Sequence, residues 1–526
     1  MRIGIDVGGT STDAVLVDGD EVCATAKTAT TFDVTHGIIV ALELLRAAPR
    51  ADPSAVDAVD AVVVGTTHFT NALTEAANLT PTAVVRLGGP ATQAIPPLAC
   101  WPDRLVRAIR GQGFICSGGH EFDGQPLAAV DDNELRAVAT DIAAAGIRSV
   151  AISAVFSVPY RESERHAAAL LTRELPGLRV SLSHEIGRPG LLGRENATAV
   201  NACLTGLADT VADALADACA ATGIDAPLFL TQNDGTVMDV EYARRYPVAT
   251  FASGPANSMR GAAFLSGVSD ALVVDAGGTT TDVGMLDGGF PLPAARDVEV
   301  AGVRTNCRMP HVASAPVGGG SEVVDRGSRV EVGPRSVGSE IRRRSRIFGG
   351  DTLTATDLAV AAGLIPLGDP RHVAGLAPDM VGRGLDVMAS HVQGAVRQAS
   401  AAAPARPVVL VGGAASLLGN RLAGVEGVSL PVHHAVANAV GAAVAPAGGE
   451  VDRIFAAGVE DRERVLTQAR TEAVERAGGV GARPVTIHIV DVAETPVTYL
   501  SRSATRVRVR ALGEPATRRP PARPDG

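Results

Sequence analysis

Apolar residues fall in short runs closed by glycine or Asp-Gly turns, and two of these stretches share one layout. Residues 3–18 read Ile-Gly-Ile-Asp-Val-Gly-Gly-Thr-Ser-Thr-Asp-Ala-Val-Leu-Val-Asp. Residues 272–287 read Leu-Val-Val-Asp-Ala-Gly-Gly-Thr-Thr-Thr-Asp-Val-Gly-Met-Leu-Asp. Each is an apolar run, a glycine pair, a hydroxyl cluster and a second apolar run, ended by Asp18-Gly19 or Asp287-Gly288-Gly289. This predicts two β-strands joined by a tight turn, followed by another hairpin turn. Apolar runs at 61–64, 408–411 and 484–492 predict further strands. Alanine-rich segments at 131–145 and 435–445 predict helices, and 461–477 predicts an amphipathic helix. The expected class is α/β, built as two similar halves. The turn Pro176-Gly177 and the run Ala447-Gly448-Gly449 read as boundaries, which divides the chain into 1–175, 180–447 and 451–526. The last part reads as a short appendage with a disordered basic tail.

The core common to the two stretches is Asp-x-Gly-Gly-Thr-[Ser/Thr]-Thr-Asp, at 6–13 and 275–282. Without a Cβ, Gly8, Gly9, Gly277 and Gly278 let the turn tighten and the backbone approach a ligand. Backbone N–H groups there, with the hydroxyls of Thr10, Ser11, Thr279 and Thr280, can donate to phosphate oxygens. Asp6 and Asp275 end their strands, where a carboxylate can hold a hydrated Mg²⁺ that bridges to phosphates. Asp13 and Asp282 are second candidates. Duplication of the loop predicts one polyphosphate gripped between two lobes.

Other segments complete a cleft. Residues 408–416 run from a strand into Gly412-Gly413, which lets the backbone approach a flat ring or a ribose. Asn438 and Gly441 share one face of the helix that follows. Thr66, Thr67, His68 and Asn71 come after the 61–64 strand, at the end where α/β sheets place ligands, and are candidate substrate contacts. The His68 imidazole is a candidate general acid or base, since it titrates near neutrality. His184 and Glu185 are further candidates of the same kind.

Composition removes several alternatives. Of 47 basic residues only Lys27 is a lysine, and it lies in no Gly-x-x-x-x-Gly-Lys loop, which excludes P-loop chemistry. A net charge of −10 and 3% aromatic content argue against nucleic-acid binding by basic patches or base stacking. The six cysteines show neither Cys-x-x-Cys nor zinc-ligand spacing. The longest apolar stretch, near 435–447, is shorter than the roughly 18 residues that span a membrane. The expectation is a cytoplasmic protein with no membrane contact, for which an oligomer is allowed.

The order of phosphate loop, phosphate loop, Gly-Gly strand and small-residue helix resembles the acetate kinase, sugar kinase, Hsp70 and actin superfamily. More specific motifs are Gly-Thr-Thr-His-Phe-Thr-Asn-Ala at 65–72, Ser-His-Glu at 183–185, Ser-Gly-Pro-Ala at 253–256 and Gly-Gly-Gly-Ser at 318–321. With the two Asp-x-Gly-Gly-Thr loops, these resemble the hydantoinase A/oxoprolinase family in the same order, over residues 2 to about 445. The resemblance implies two ribonuclease H-like lobes around an ATP and Mg²⁺ cleft. It implies hinge closure and ATP-dependent opening of a cyclic amide such as hydantoin or 5-oxoproline, or in some relatives carboxylation of a ketone. The region after Gly449 is shorter than in full-length members, a departure that counts against stand-alone lactam hydrolysis, and the motif order implies a hydantoinase B-like partner subunit as a candidate. His68-Phe69 stands where many members carry small or aliphatic residues. Two other functions remain open at this point: a small-molecule kinase of the same superfamily, and a non-catalytic nucleotide-gated binding module.

Overall fold

A computed structural model describes residues 1–9, 11–30, 34–48, 56, 59–327, 329–400, 406–422, 427–456, 462–497 and 504–517. Thr10, expected to hold phosphate, and the extreme tail 518–526 lie outside the described residues.

The first expected hairpin forms. Arg2–Val7 and Ser11–Asp18 pair antiparallel, with Asp6 opposite Asp13. Glu21–Ala29 adds to the outer side and sets Lys27 opposite Asp13. On the inner side Ala61–Thr66 runs parallel to Arg2–Val7 and sets Gly65 beside Asp6. Leu228–Thr231 and Val237–Asp239 extend this sheet. Both faces of Ala61–Thr66 are buried, which is why its apolar run is continuous rather than alternating.

The C-terminal strands Ala447–Ala456, Ala504–Gly513 and His488–Val497 continue the same sheet, which has nine strands among the described residues. Ala447–Ala456 enters beside Val237–Asp239 in parallel register. The glycine pair that reads as a linker is thus the start of a strand, and the expected appendage is built into the first lobe. The helix Arg462–Gly479 covers these strands and buries Val465, Leu466, Ala469, Ala473 and Ala477.

A separate parallel sheet contains Gln112–Ser117, Thr82–Gly89, Ser149–Ala154 and Arg179–Leu182 in that order. Its last strand pairs with Ser149–Ala154 across the boundary expected at Pro176-Gly177. The long helix Leu191–Ala221 follows, with Cys203, Leu204 and Leu215 in the core it shares with the first sheet.

The second hairpin repeats the first. Leu272–Ala276 and Thr281–Asp287 pair antiparallel, with Asp275 opposite Asp282. Val408–Val411 lies parallel to Leu272–Ala276. The helix Pro378–Ser400 packs an apolar stripe that includes Leu385, Met388 and Val392 onto this second sheet. Two helices cross between the sheets, Ser253–Ser266 and Ala437–Val444. Gly261 and Gly441 make the crossing possible. A Cβ on Gly261 would lie 1.9 Å from the Ala437 carbonyl oxygen, and one on Gly441 would lie 1.9 Å from that of Asn257.

Candidate functional site

The two glycine turns are built alike. Gly8 N–H donates to Ser11 O at 3.1 Å, and Gly277 N–H donates to Thr280 O at 2.9 Å. Each turn is braced from behind. Thr30 Oγ1 donates to Gly8 O at 2.7 Å. Gly319 and Gly320 N–H donate to the carbonyls of Gly277 and Gly278 at 3.0 and 2.7 Å. With those carbonyls occupied, the N–H groups of Gly278, Thr279 and Thr280 meet no acceptor among the described residues. Thr279 and Thr280 are exposed. This is the backbone concavity that binds oxyanions. Gly9 is exposed and Ser11 is half-buried at the edge of the first turn.

Asp6 and Asp275 come together through two side chains on the crossing helices. Asn438 Nδ2 donates to Asp6 Oδ2 at 3.4 Å. Ser258 Oγ lies 2.7 Å from Asn438 Oδ1 and hydrogen-bonds Asp275 Oδ2. One hydroxyl proton faces two acceptors there, so the chain is short of positive charge. Burial, then the neighbouring Asp13, push the Asp6 carboxyl up to about 7. Burial also pushes Asp275 up to about 6 against the Ser258 hydrogen bond, and Asp282 adds to the rise. A pair of carboxylates, Asp6 buried and Asp275 half-buried, on which the Lys27 charge acts without a direct ion pair, fits, with oxygen donors alone, a hard cation such as Mg²⁺. Among the described residues no three His, Cys, Asp or Glu side chains group closely enough to hold a metal by themselves. Phosphate and water would have to complete the shell of such a cation.

Lys27 faces this cluster from the outer strand. Its Nζ lies 2.8 and 2.9 Å from the two Asp13 oxygens and donates to Ala435 O at 3.3 Å. Ser314 Oγ donates to Asp282 Oδ1 at 2.6 Å in the equivalent place of the second hairpin.

Gly412 has φ +93°, and a Cβ there would meet Asp275 Oδ1 at 2.3 Å. Only glycine lets the Val408–Val411 strand turn beside that carboxylate. His434 clamps the turn: Gly412 N–H donates to His434 O at 2.8 Å. Gly413 faces open space.

The segment after Ala61–Thr66 also reaches the cleft, since Thr66 lies beside Val7 in register. Thr66 Oγ1 and His68 Nδ1 are 2.6 Å apart. Burial lowers the His68 imidazole, which keeps it neutral near pH 7. Asn71 Nδ2 donates to Thr67 Oγ1 at 3.3 Å and is exposed. His184 and Glu185 are elsewhere, around a different cavity.

Sequence reasoning predicted no helix over Ser253–Ser266 and missed Ser258, the link to Asp275. The available signal was Ser-Gly-Pro-Ala at 253–256, a helix start one helix-length before the second hairpin.

Comparison with known proteins identifies the relationship. The family model for the hydantoinase/oxoprolinase N-terminal region matches residues 2–175, and the hydantoinase/oxoprolinase model matches residues 194–370. The chain belongs to the hydantoinase/oxoprolinase family. It is 29% identical over 388 residues to the caprolactamase subunit alpha of Pseudomonas jessenii, covering 69% of this chain and 54% of that one. It is 25% identical over 257 residues to the acetophenone carboxylase gamma subunit of Aromatoleum aromaticum, covering 47% of this chain and 35% of that one. The chain therefore spans about half or less of the length of these curated relatives. The solved structure of the ATP-dependent caprolactamase from Pseudomonas jessenii matches with a TM-score of 0.77 at 20% identity, over 99% of this chain and 88% of that one. A nucleotide-free acetone carboxylase matches with a TM-score of 0.67 at 16% identity, over 100% of this chain and 89% of that one. The family member described here shares their α/β fold, as the repeated hairpins predict. Among the described residues no helix is long and apolar enough to cross a membrane.

Proposed function

We propose that this hydantoinase/oxoprolinase family member binds ATP with Mg²⁺ between its two glycine hairpins and uses it to open a cyclic amide. The observation that carries the reading is the Asp6–Asn438–Ser258–Asp275 chain, which joins two duplicated phosphate-type turns across one cleft. The caprolactamase relatives supply the substrate class.

An amide carbonyl is a poor electrophile, and its oxygen is a poor leaving group. Transfer of the γ-phosphoryl group to that oxygen breaks the bond to ADP and leaves an imidate phosphate, with the amide proton lost. Water then adds at the activated carbon. The carbon–nitrogen bond breaks as the nitrogen takes a proton and leaves as the ring-opened amine. A second water hydrolyses the remaining acyl phosphate to carboxylate and phosphate. Most of the catalytic effect in such transfers comes from positioning and charge stabilisation. The backbone donors of Gly9, Gly278, Thr279 and Thr280, with Ser11, hold phosphate oxygens, on turns closed by the Gly8 and Gly277 N–H groups. Asp6 and Asp275 would hold Mg²⁺, which neutralises phosphate charge when bound. Gly412 and Gly413 line the adenosine side. Thr66, Thr67 and Asn71 contact the amide. Neutral His68 accepts or returns its proton.

The caprolactamase and acetophenone carboxylase relatives are both named as subunits. This chain accordingly works with a hydantoinase B-like partner. The acetophenone carboxylase relative and the acetone carboxylase fold favour a second reading, in which the same phosphoryl transfer activates a ketone for carboxylation.

The test is phosphate release by the purified chain with ATP and Mg²⁺, alone and with a candidate partner. Release stimulated by one lactam, and lost in Asp6→Asn, supports the first reading. Stimulation only by a ketone with bicarbonate supports the second. A stable phosphorylated product in the phosphorus NMR spectrum would mean a kinase and overturn both.

A further inference from the structure

The Ser-His-Glu segment, which the nucleotide cleft does not use, lines a cavity of about 170 Å³ at the end of the Leu228–Thr231 strand. His184 forms part of its wall and is buried. Its Nδ1 lies 2.6 Å from Glu164 Oε2, which fixes that nitrogen as the N–H. Nε2 is buried and meets no hydrogen-bond partner among the described residues. Asn233 follows the same strand and is only 8% exposed, yet its carboxamide makes no hydrogen bond among the described residues. The hydroxyl of Tyr242, which also lines the cavity, makes none among them either.

The charges around the cavity are unevenly matched. Glu450 is paired with Arg308. Asp452 receives two hydrogen bonds of 2.7 Å from Arg506. Arg453 is paired with Glu472. Two lining charges are left over: Glu185, which accepts only from the Tyr246 hydroxyl among the described residues, and Arg188. Its guanidinium makes one ion contact, to the already occupied Asp452 at 3.9 Å, and no hydrogen bond among the described residues. A half-buried guanidinium with its planar donor fork unused matches a carboxylate. An apolar cavity of roughly 150 Å³ holds benzene, so this one suits a ligand of about six to eight non-hydrogen atoms.

We propose that this cavity binds a small organic carboxylate carrying a hydrogen-bond donor. Arg188 pairs with the carboxylate, Asn233 and Tyr242 add polar contacts, and the exposed Glu185 carboxylate in the same wall accepts from the donor. The site shares no residue with the two hairpins, and it stands whether or not the nucleotide reading holds.

Saturation-transfer NMR on the full chain tests this with 4-hydroxybutyrate and its amide, 4-hydroxybutyramide, which has the same shape without the charge. The expected result is transfer to the acid, at least about tenfold weaker affinity for the amide, and loss of the acid's signal in Arg188→Met. The melting temperature of the variant reports whether it still folds. If the variant is misfolded, the comparison of acid and amide on the unaltered protein still decides. Equal binding of acid and amide overturns the proposal, as does full binding in a folded Arg188→Met. Absence of transfer to the acid, or equal competition by inorganic phosphate, overturns it too.

Discussion

Lys27 is the one lysine of the chain, and its ammonium reaches both oxygens of Asp13 and the Ala435 carbonyl. It ties the first hairpin to the segment that leads into the second crossing helix. A compact point charge suits three acceptors arranged around it, whereas a planar guanidinium does not. Lys27→Met leaves Asp13 buried without its partner and should cost about 1–3 kcal/mol in urea unfolding. Lys27→Arg should keep most of that stability and lower ATP turnover at least about tenfold. An Arg variant with full turnover would remove the positioning role. The carboxylates give a second prediction. Asp275 sits at about 6 in the fold against 3.8 in its ordinary state. Between those values the folded chain holds a proton that the unfolded chain releases, so stability is present in acid and is lost as pH rises through about 6. Asp275→Asn should therefore melt higher than the parent at pH 8, by up to about 3 kcal/mol, and match it near pH 4. Thermal melts across pH read this directly, and a pH-independent difference would contradict the raised carboxyl. Residue types and spacing made Asp6, Asp275 and the glycine turns legible from sequence. Ser258 and Asn438 were not legible as a link, because a relay between distant segments has no local signature.

At the scale of elements, the hairpins and the Ala437–Val444 helix follow from apolar periodicity and turn residues. The Ser253–Ser266 helix does not. It carries little amphipathic signal because its small residues face another backbone rather than a side-chain core. The crossing makes a contrast between two glycines of this helix. Gly261→Ala would drive a methyl into the Ala437 carbonyl, and should cost 3 kcal/mol or more or abolish soluble folding. Gly254→Ala meets nothing within 4 Å, and should be neutral or stabilise by up to about 1 kcal/mol. Chemical denaturation of the pair tests the crossing. Equal stability of both variants would show that the helices separate without penalty.

For the whole molecule, the duplicated loop made the two-lobed α/β plan legible, but the path of the C-terminal segment was not. Glycine pairs mark both linkers and strands that need close approach, and Gly448-Gly449 is of the second kind. Removing residues from 447 onward would take Val451, Val507, Val509 and Ala511 out of the core, each at most 1% exposed, and uncover the edge of Val237–Asp239. Such a truncation should lose its cooperative melt and elute as aggregate in size exclusion. A monomeric fragment with an intact melt would mean the first lobe closes without these strands. The same topology sets an order of events during translation. The strands of the first hairpin leave the ribosome long before Ala447–Ala456, and their sheet stays open along Val237–Asp239 until more than two hundred residues beyond Asp239 have emerged. A nascent chain stalled before residue 447 displays an unpaired strand edge, the feature most prone to pair with a neighbouring chain. Slow or interrupted synthesis is therefore where this protein is most exposed to misassembly, and holding that edge is the task of whatever receives the chain at the ribosomal exit.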